Sequence, residues 1–310
     1  MAIDKDKWGI LYCPKTGTTN KLKRWNKLQK LLESKKVSYD VIHCESSDSV
    51  ERLVTMLINN GYKTLVVVGG DSAVNDAVNC LMREEKLLRD EISLGIIPNG
   101  VLNDFVRFWG FDEDHDEKTI DALIKHRVRK IDVGSLRYTD MNGEKQHRYF
   151  VNCVNIGMIA DVMNQRRQTR KVLGSRTLSF VVSLVLMLFH LRSYKMRLII
   201  NSETIDRKVM TVCVGNGPGY GQTPNAVPYS GLLDVSVVYT PQVSQLFEGL
   251  WLLVTGRFLN HRSVHPYRTR EVVVESKKAL VGVDGRLLKT PVGEFTIQVE
   301  PEIINLLISD

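Results

Sequence analysis

The first 130 residues repeat one pattern: a short apolar run, a polar turn, then apolar residues at helical spacing. The runs are WGILYCP (8–14), SYDVIHCE (38–45), TLVVVGG (64–70) and SLGIIPNG (93–100), and each reads as a strand. Between the first two, Trp25, Leu28, Leu31 and Leu32 fall on one face of a helix over Lys21–Ser34. Further helices are expected over Ser47–Asn59, with Ser47 as N-cap, and over Ser72–Leu87. TLVVVGG is apolar throughout rather than alternating, which suits a parallel strand covered on both faces. The rhythm predicts an α/β domain with a doubly wound parallel sheet, and a ligand at the carboxyl ends of its strands.

The pattern changes near Ile131. KIDVGSLRYTD (130–140) and EKQHRYFVNCVNIGM (144–158) read as strands paired around the turn Asp140–Gly143. More short strands follow: KMRLIINS, RKVMTVCVGN, LLDVSVVYT, REVVVESKKA, ALVGVDG and EFTIQVEP. They predict a β-rich antiparallel sandwich. The expected domains are therefore 1–131, with the tail 301–310 returning to it, and 132–300. The stretch Leu178–Leu191 is shorter than the ~20 residues that span a bilayer, so it reads as a buried or interfacial helix. A basic lead-in (Arg166, Arg167, Arg170, Lys171, Arg176) suits an anionic lipid surface. Arg257, His261, Arg262, His265, Arg268 and Arg270 form a second basic cluster. Trp251 and Leu252–Leu253, just before it, read as helix core.

At 43% hydrophobic and 25% charged residues, the chain has the composition of a folded globular protein. Five scattered cysteines without a CxxC pair fit reduced, buried thiols rather than zinc or disulfides. The start MAIDKDKW has no apolar h-region, so a cytoplasmic location without a secretory leader is expected. A net charge of +7 implies an acidic partner: nucleotide phosphate, anionic lipid or nucleic acid. No nucleic-acid-binding motif is present in the sequence, so no nucleic acid is expected.

Two strand–loop–helix junctions carry chemistry. Gly69-Gly70-Asp71, with Ser72 and Asn75 behind it, lets backbone approach a ligand at a helix N-terminus, which suits phosphate. It also reads as a strain-relieving turn whose Asp71 caps a helix. The second junction holds Asn99, Gly100, Asn103 and Asp104 on the same sheet edge.

Together with YCPKTG (12–17), IDVG (131–134), FVNCVNIG (150–157), GQTPNAVPYSGLLDV (221–235) and VDGR (283–286), these motifs resemble the diacylglycerol kinase catalytic-domain family. That family includes bacterial soluble lipid kinases and sphingosine kinases. The motifs occur in family order along nearly the whole chain. The resemblance implies an active site in the cleft between two domains, ATP, Mg²⁺, and phosphorylation of a lipid hydroxyl at the inner membrane face. It implies that Lys15, Thr16 and Gly17 close over the nucleotide, and that Gly69, Gly70, Asp71, Gly100, Asn103 and Asp104 hold it. It places Asp132 at an acidic site position, with Asp71 and Asp132 as Mg²⁺ carboxylates. Asp284 matches the general base, and a homodimer fits the family.

This chain departs from the family pattern at Cys13, Ser72, Ala73, Val101, Leu102, Ser230 and Arg286. Arg286 stands where a glutamate is usual, and a guanidinium there suits pairing with phosphate. An NAD-kinase-like phosphotransferase and a non-catalytic nucleotide- or lipid-binding relative are the competing expectations.

Overall fold

The computed structural model describes residues 7–14, 21–46, 49–100, 103–140, 142–164, 192–242, 245–276, 278–288 and 294–309. The chain divides into two compact units, Met1–Val133 with Pro301–Asp310, and Gly134–Glu300.

The first unit is built from β1 (Trp8–Tyr12), α1 (Lys21–Ser34), β2 (Tyr39–His43), α2 (Val50–Asn59), β3 (Thr64–Gly69), α3 (Asp71–Leu81), α4 (Lys86–Asp90), β4 (Ser93–Pro98), α5 (Asp104–Phe108) and α6 (Asp116–Ile124). Its strands pair in parallel in the order β2-β1-β3-β4, with Ile10 opposite both Val41 and Val66, and Val66 opposite Gly95. β3 and β4 are buried along their whole length, as their unbroken apolar runs require. The chain's last strand, β16 (Glu294–Leu307), brings Asn305 alongside Ser93 in parallel.

Two helix boundaries differ from expectation. Ser49 rather than Ser47 precedes α2, and its hydroxyl donates to the Ser46 carbonyl; Ser47 lies outside the described residues. The helix expected over Ser72–Leu87 stops at Leu81. The apolar spacing ends there, and N–H groups of Arg83 and Glu84 turn back to Cys80 and Leu81.

The second unit is an antiparallel sandwich. Six of its strands are β7 (Cys153–Gly157), β10 (Thr211–Gly215), β11 (Leu233–Val238), β12 (Val264–Thr269), β14 (Val281–Val283) and β15 (Arg286–Leu287), in the order β12-β11-β10-β7-β14-β15. Across from them lie β8 (Tyr194–Ile200), β9 (Glu203–Val209), β13 (Glu271–Glu275) and the first half of β16. The hairpin of β5 (Val128–Thr139) and β6 (Lys145–Phe150) joins them from Gly134 onward. Strand alternation sets the core: Val272 and Val274 point inward while Glu271 is exposed. Phe150, Val154, Val214, Val235, Val274 and Phe295 meet in one apolar cluster between the sheets. α7 (Gln245–Val254) follows β11.

Cys44, Cys80, Cys153 and Cys213 are buried thiols and Cys13 is a half-buried one, none of them in a disulfide. No helix among the described residues is long and apolar enough to cross a membrane. Leu178–Leu191 and its basic lead-in lie outside the described residues.

Candidate functional site

In the first unit, β3 and β4 both end in glycine-bearing loops, and these loops touch. A methyl group built on Gly70 would sit 2.9 Å from the Gly100 Cα, and one built on Gly100 only 2.5 Å from the Gly70 Cα. Gly70 has φ −99°, so the glycine is required by close approach, not by a left-handed turn. Asn99 locks three strand ends together. Its N–H donates to the Gly69 carbonyl (2.9 Å), and its side-chain amide donates to the Cys13 carbonyl (2.9 Å). Asn103, at φ 50°, accepts the Gly100 N–H on its side-chain oxygen at 2.8 Å.

Asp71 opens α3, but its carboxylate caps a different helix. It accepts the Asp104 N–H at 3.2 Å and the Phe105 N–H at 3.4 Å, at the start of α5. Burial raises its carboxyl to about 6, against the lowering effect of the Asp104 N–H. Gly70 itself offers no side-chain cap to α3. The N–H groups of Ala73 and Val74 donate to the Gly70 carbonyl, which leaves those of Asp71 and Ser72 at the positive end of an eleven-residue helix. That is the chemistry of an anion site. Ser72 lies half-buried in this first turn. Asn75 is buried one turn on, where the Asn79 amide donates to its carbonyl and side-chain oxygens. Arg24 braces the second loop. Its guanidinium donates to the Pro98 carbonyl (3.1 Å) and to both oxygens of buried Asp116.

Asp132 is buried, and its carboxylate accepts the Glu302 N–H at 2.9 Å. That bond serves the bend in β16 after Pro301, where Glu302 takes φ 50°. Among the described residues, no three His, Cys, Asp or Glu side chains gather in a metal-holding group, so Asp71 and Asp132 do not form part of such a group. Lys15, Thr16 and Gly17 lie outside the described residues.

In the second unit, Asp284 and Gly285 form the two-residue turn between β14 and β15, at φ 43° and 81°. Both positive angles mark a type I′ hairpin. The buried Asp284 carboxylate accepts three main-chain N–H groups: Val151 (2.8 Å), Asn152 (3.1 Å) and Cys153 (2.8 Å). Here the chain leaves one sheet at Phe150 and enters the other at Cys153, so these amides lose strand partners while buried. Polar groups of the segment after β10 join the same crossing. Asn216 and Gly217 donate main-chain N–H groups to the Asn152 carbonyl, and the Asn216 amide donates to Val151. Gly219 donates to the Asn152 side chain, and Gln222 donates to Asn155. Arg286, half-buried, pairs with Val283 across the hairpin.

Asp284 was singled out in the sequence by number, Asn152, Asn155 and Gln222 only as members of the motifs at 150–157 and 221–235, and Arg24 and Asn216 not at all. Asn152 and Asn155 did leave a signal: they interrupt the apolar run VNCVN.

The diacylglycerol kinase catalytic domain model matches residues 7–136, and the YegS C-terminal NAD kinase beta sandwich-like domain model matches residues 152–308. A diacylglycerol kinase of Mycobacterium tuberculosis is 25% identical over 253 residues, 79% of this chain and 78% of its own length. A diacylglycerol kinase structure from Bacillus anthracis superposes with a TM-score of 0.67 at 16% identity, over 98% of this chain and 97% of that one. An NAD kinase from Archaeoglobus fulgidus, solved with ATP, gives a TM-score of 0.54 at 14% identity, over 98% of this chain and 94% of that one. With both units matched in order and the glycine loops in contact, the chain belongs to the diacylglycerol kinase catalytic-domain family.

Proposed function

We propose that this chain is an ATP-dependent lipid kinase that moves the γ-phosphate of ATP to the hydroxyl of a lipid such as diacylglycerol or a sphingoid base. The observation that carries the reading is the contact of Gly70 with Gly100 beside the N-terminus of α3. Backbone packed this closely, with helix N–H groups behind it, suits a phosphate chain and leaves no room for a side chain. Phosphoryl transfer asks mainly for positioning and neutralised charge, and main-chain donors supply both.

The donor set fits ATP with its own Mg²⁺. Mg²⁺ keeps most of its water and is usually bound through phosphates and one or two carboxylates, so it needs no three-residue cage. Asp71 is the carboxylate at this loop, and Asp132 is the second candidate. When bound, Mg²⁺ neutralises phosphate charge. Gly69, Gly70, Ser72, Gly100, Asn103 and Asp104 form or brace the nucleotide loops, with Lys15, Thr16 and Gly17 as the closing segment.

On the acceptor side, Asp284 takes the hydroxyl proton. Three main-chain amides fix its carboxylate in one orientation before substrate arrives. Arg286 next to it is suited to phosphate pairing. The acceptor sits in a membrane, so the protein works as a peripheral enzyme at an anionic lipid surface on the cytoplasmic side.

The NAD-kinase reading is favoured by one observation, the fold shared with the Archaeoglobus protein. Incubation with γ-labelled ATP, Mg²⁺ and single acceptors separates the possibilities. A labelled lipid phosphate is expected. Labelled NADP would replace the lipid reading, and ATP binding without any product would leave a non-catalytic relative.

A further inference from the structure

Trp251 and its neighbours, expected in a helix core, are not all there. Phe247 and Trp251 are 67% and 68% exposed on α7. Four residues apart, they share one face of the helix. Leu246 is buried, and Leu252 and Leu253 are half-buried. Gly249 lies two residues from each aromatic, on the opposite side of a helix of 3.6 residues per turn. The His261 ring packs there, 3.5 Å from where a Gly249 methyl would stand, with Nε2 3.1 Å from the Gln245 carbonyl. The chain after α7 thus folds back along its inner side, and Arg257 is exposed just past the end of the helix. The one acidic residue on α7 is Glu248.

A second copy of the chain is a poor occupant for this face. Two aromatic side chains bury roughly 300–500 Å² together, short of the ~800 Å² per partner of a standard interface. An exposed aromatic pair on a helix that ends just before an exposed arginine matches the boundary of an anionic bilayer. We propose that α7 is a membrane-docking helix that sinks Phe247 and Trp251 into the headgroup–acyl boundary, with Arg257 at the lipid phosphates. This deepens the proposed function and rests on its placing the acceptor in a lipid surface.

The test reads binding without ATP or acceptor, so a failed kinase assay and a failed docking assay remain distinct. Sedimentation with phosphatidylglycerol–phosphatidylcholine vesicles measures partitioning. The wild type should bind. The Phe247→Ser/Trp251→Ser variant should partition at least tenfold more weakly, and Arg257→Gln about fivefold more weakly. Both changes are at exposed positions, and circular dichroism checks that the variants fold. Of the four tryptophans, Trp8, Trp25 and Trp109 are buried, so brominated lipid should quench chiefly Trp251. Equal partitioning of the double variant, or tryptophan emission untouched by brominated lipid, would overturn the proposal. So would a wild-type dimer that the double variant abolishes.

Discussion

Replacing Asp284 by alanine should unfold the second unit before it says anything about catalysis. The carboxylate accepts three buried main-chain N–H groups, at 2.8, 3.1 and 2.8 Å. Alanine removes every one of those bonds and leaves the donors facing a small cavity. A buried donor without a partner costs about 1–3 kcal/mol, so the loss is roughly 3–9 kcal/mol. Whole domains are stable by only about 5–15 kcal/mol. Urea denaturation followed by circular dichroism should therefore show Asp284→Ala unfolded in water, or with its midpoint moved far down. Asp284→Asn keeps one side-chain oxygen as an acceptor and should lose less. If Asp284→Ala stays within about 1 kcal/mol of wild type, the sheet crossing at 151–153 does not depend on this carboxylate, and the reasoning fails. Loss of turnover in Asp284→Ala identifies a base only if the protein is still folded, which makes Asp284→Asn the informative variant.

Gly100→Ala should press its methyl into the Gly70 Cα and the Asn103 oxygen, costing about 1–3 kcal/mol in stability and weakening ATP binding at least tenfold. Calorimetric titration with ATP checks this, and unchanged affinity would remove the glycine contact from the nucleotide site. Asp71 gives a pH signature. Its folded value is about 6 against an ordinary 3.8, so between those values the folded chain holds a proton that the unfolded chain has lost. The associated stability, about 3 kcal/mol, is present below pH ~4 and lost as pH rises through 6. Denaturant titrations of nucleotide-free protein should show that slope, and Asp71→Asn should flatten it. Burial pushes the Cys80 thiol up to about 11. Timed alkylation at pH 8 with mass spectrometry should label half-buried Cys13 long before Cys80.

Much of the fold was legible because it depends on periodicity. The unbroken apolar runs of β3 and β4 announced parallel strands, and the succession of short strands after Ile131 announced an antiparallel sandwich. The loop glycines and Asp71 were visible as a junction, but which task each performs was not. Gly70 is needed because Gly100 stands against it, and Asp71 caps α5 rather than its own helix. Both facts depend on a second loop about thirty positions away. Asp284 was legible only as a turn residue or a motif match, since its partners lie 131 to 133 positions earlier in the chain. Trp251 misled because an apolar decapeptide reads as core, and spacing alone cannot say which face lacks a neighbour.

The most direct test of the central claim is a competition in one tube. The protein receives γ-labelled ATP, Mg²⁺, vesicles carrying diacylglycerol and sphingoid base, and an excess of NAD, and the mixture is then extracted with organic solvent. The account predicts label in the organic phase, as a lipid phosphate. Label recovered as NADP in water, or no transfer by a protein that binds ATP, would contradict it.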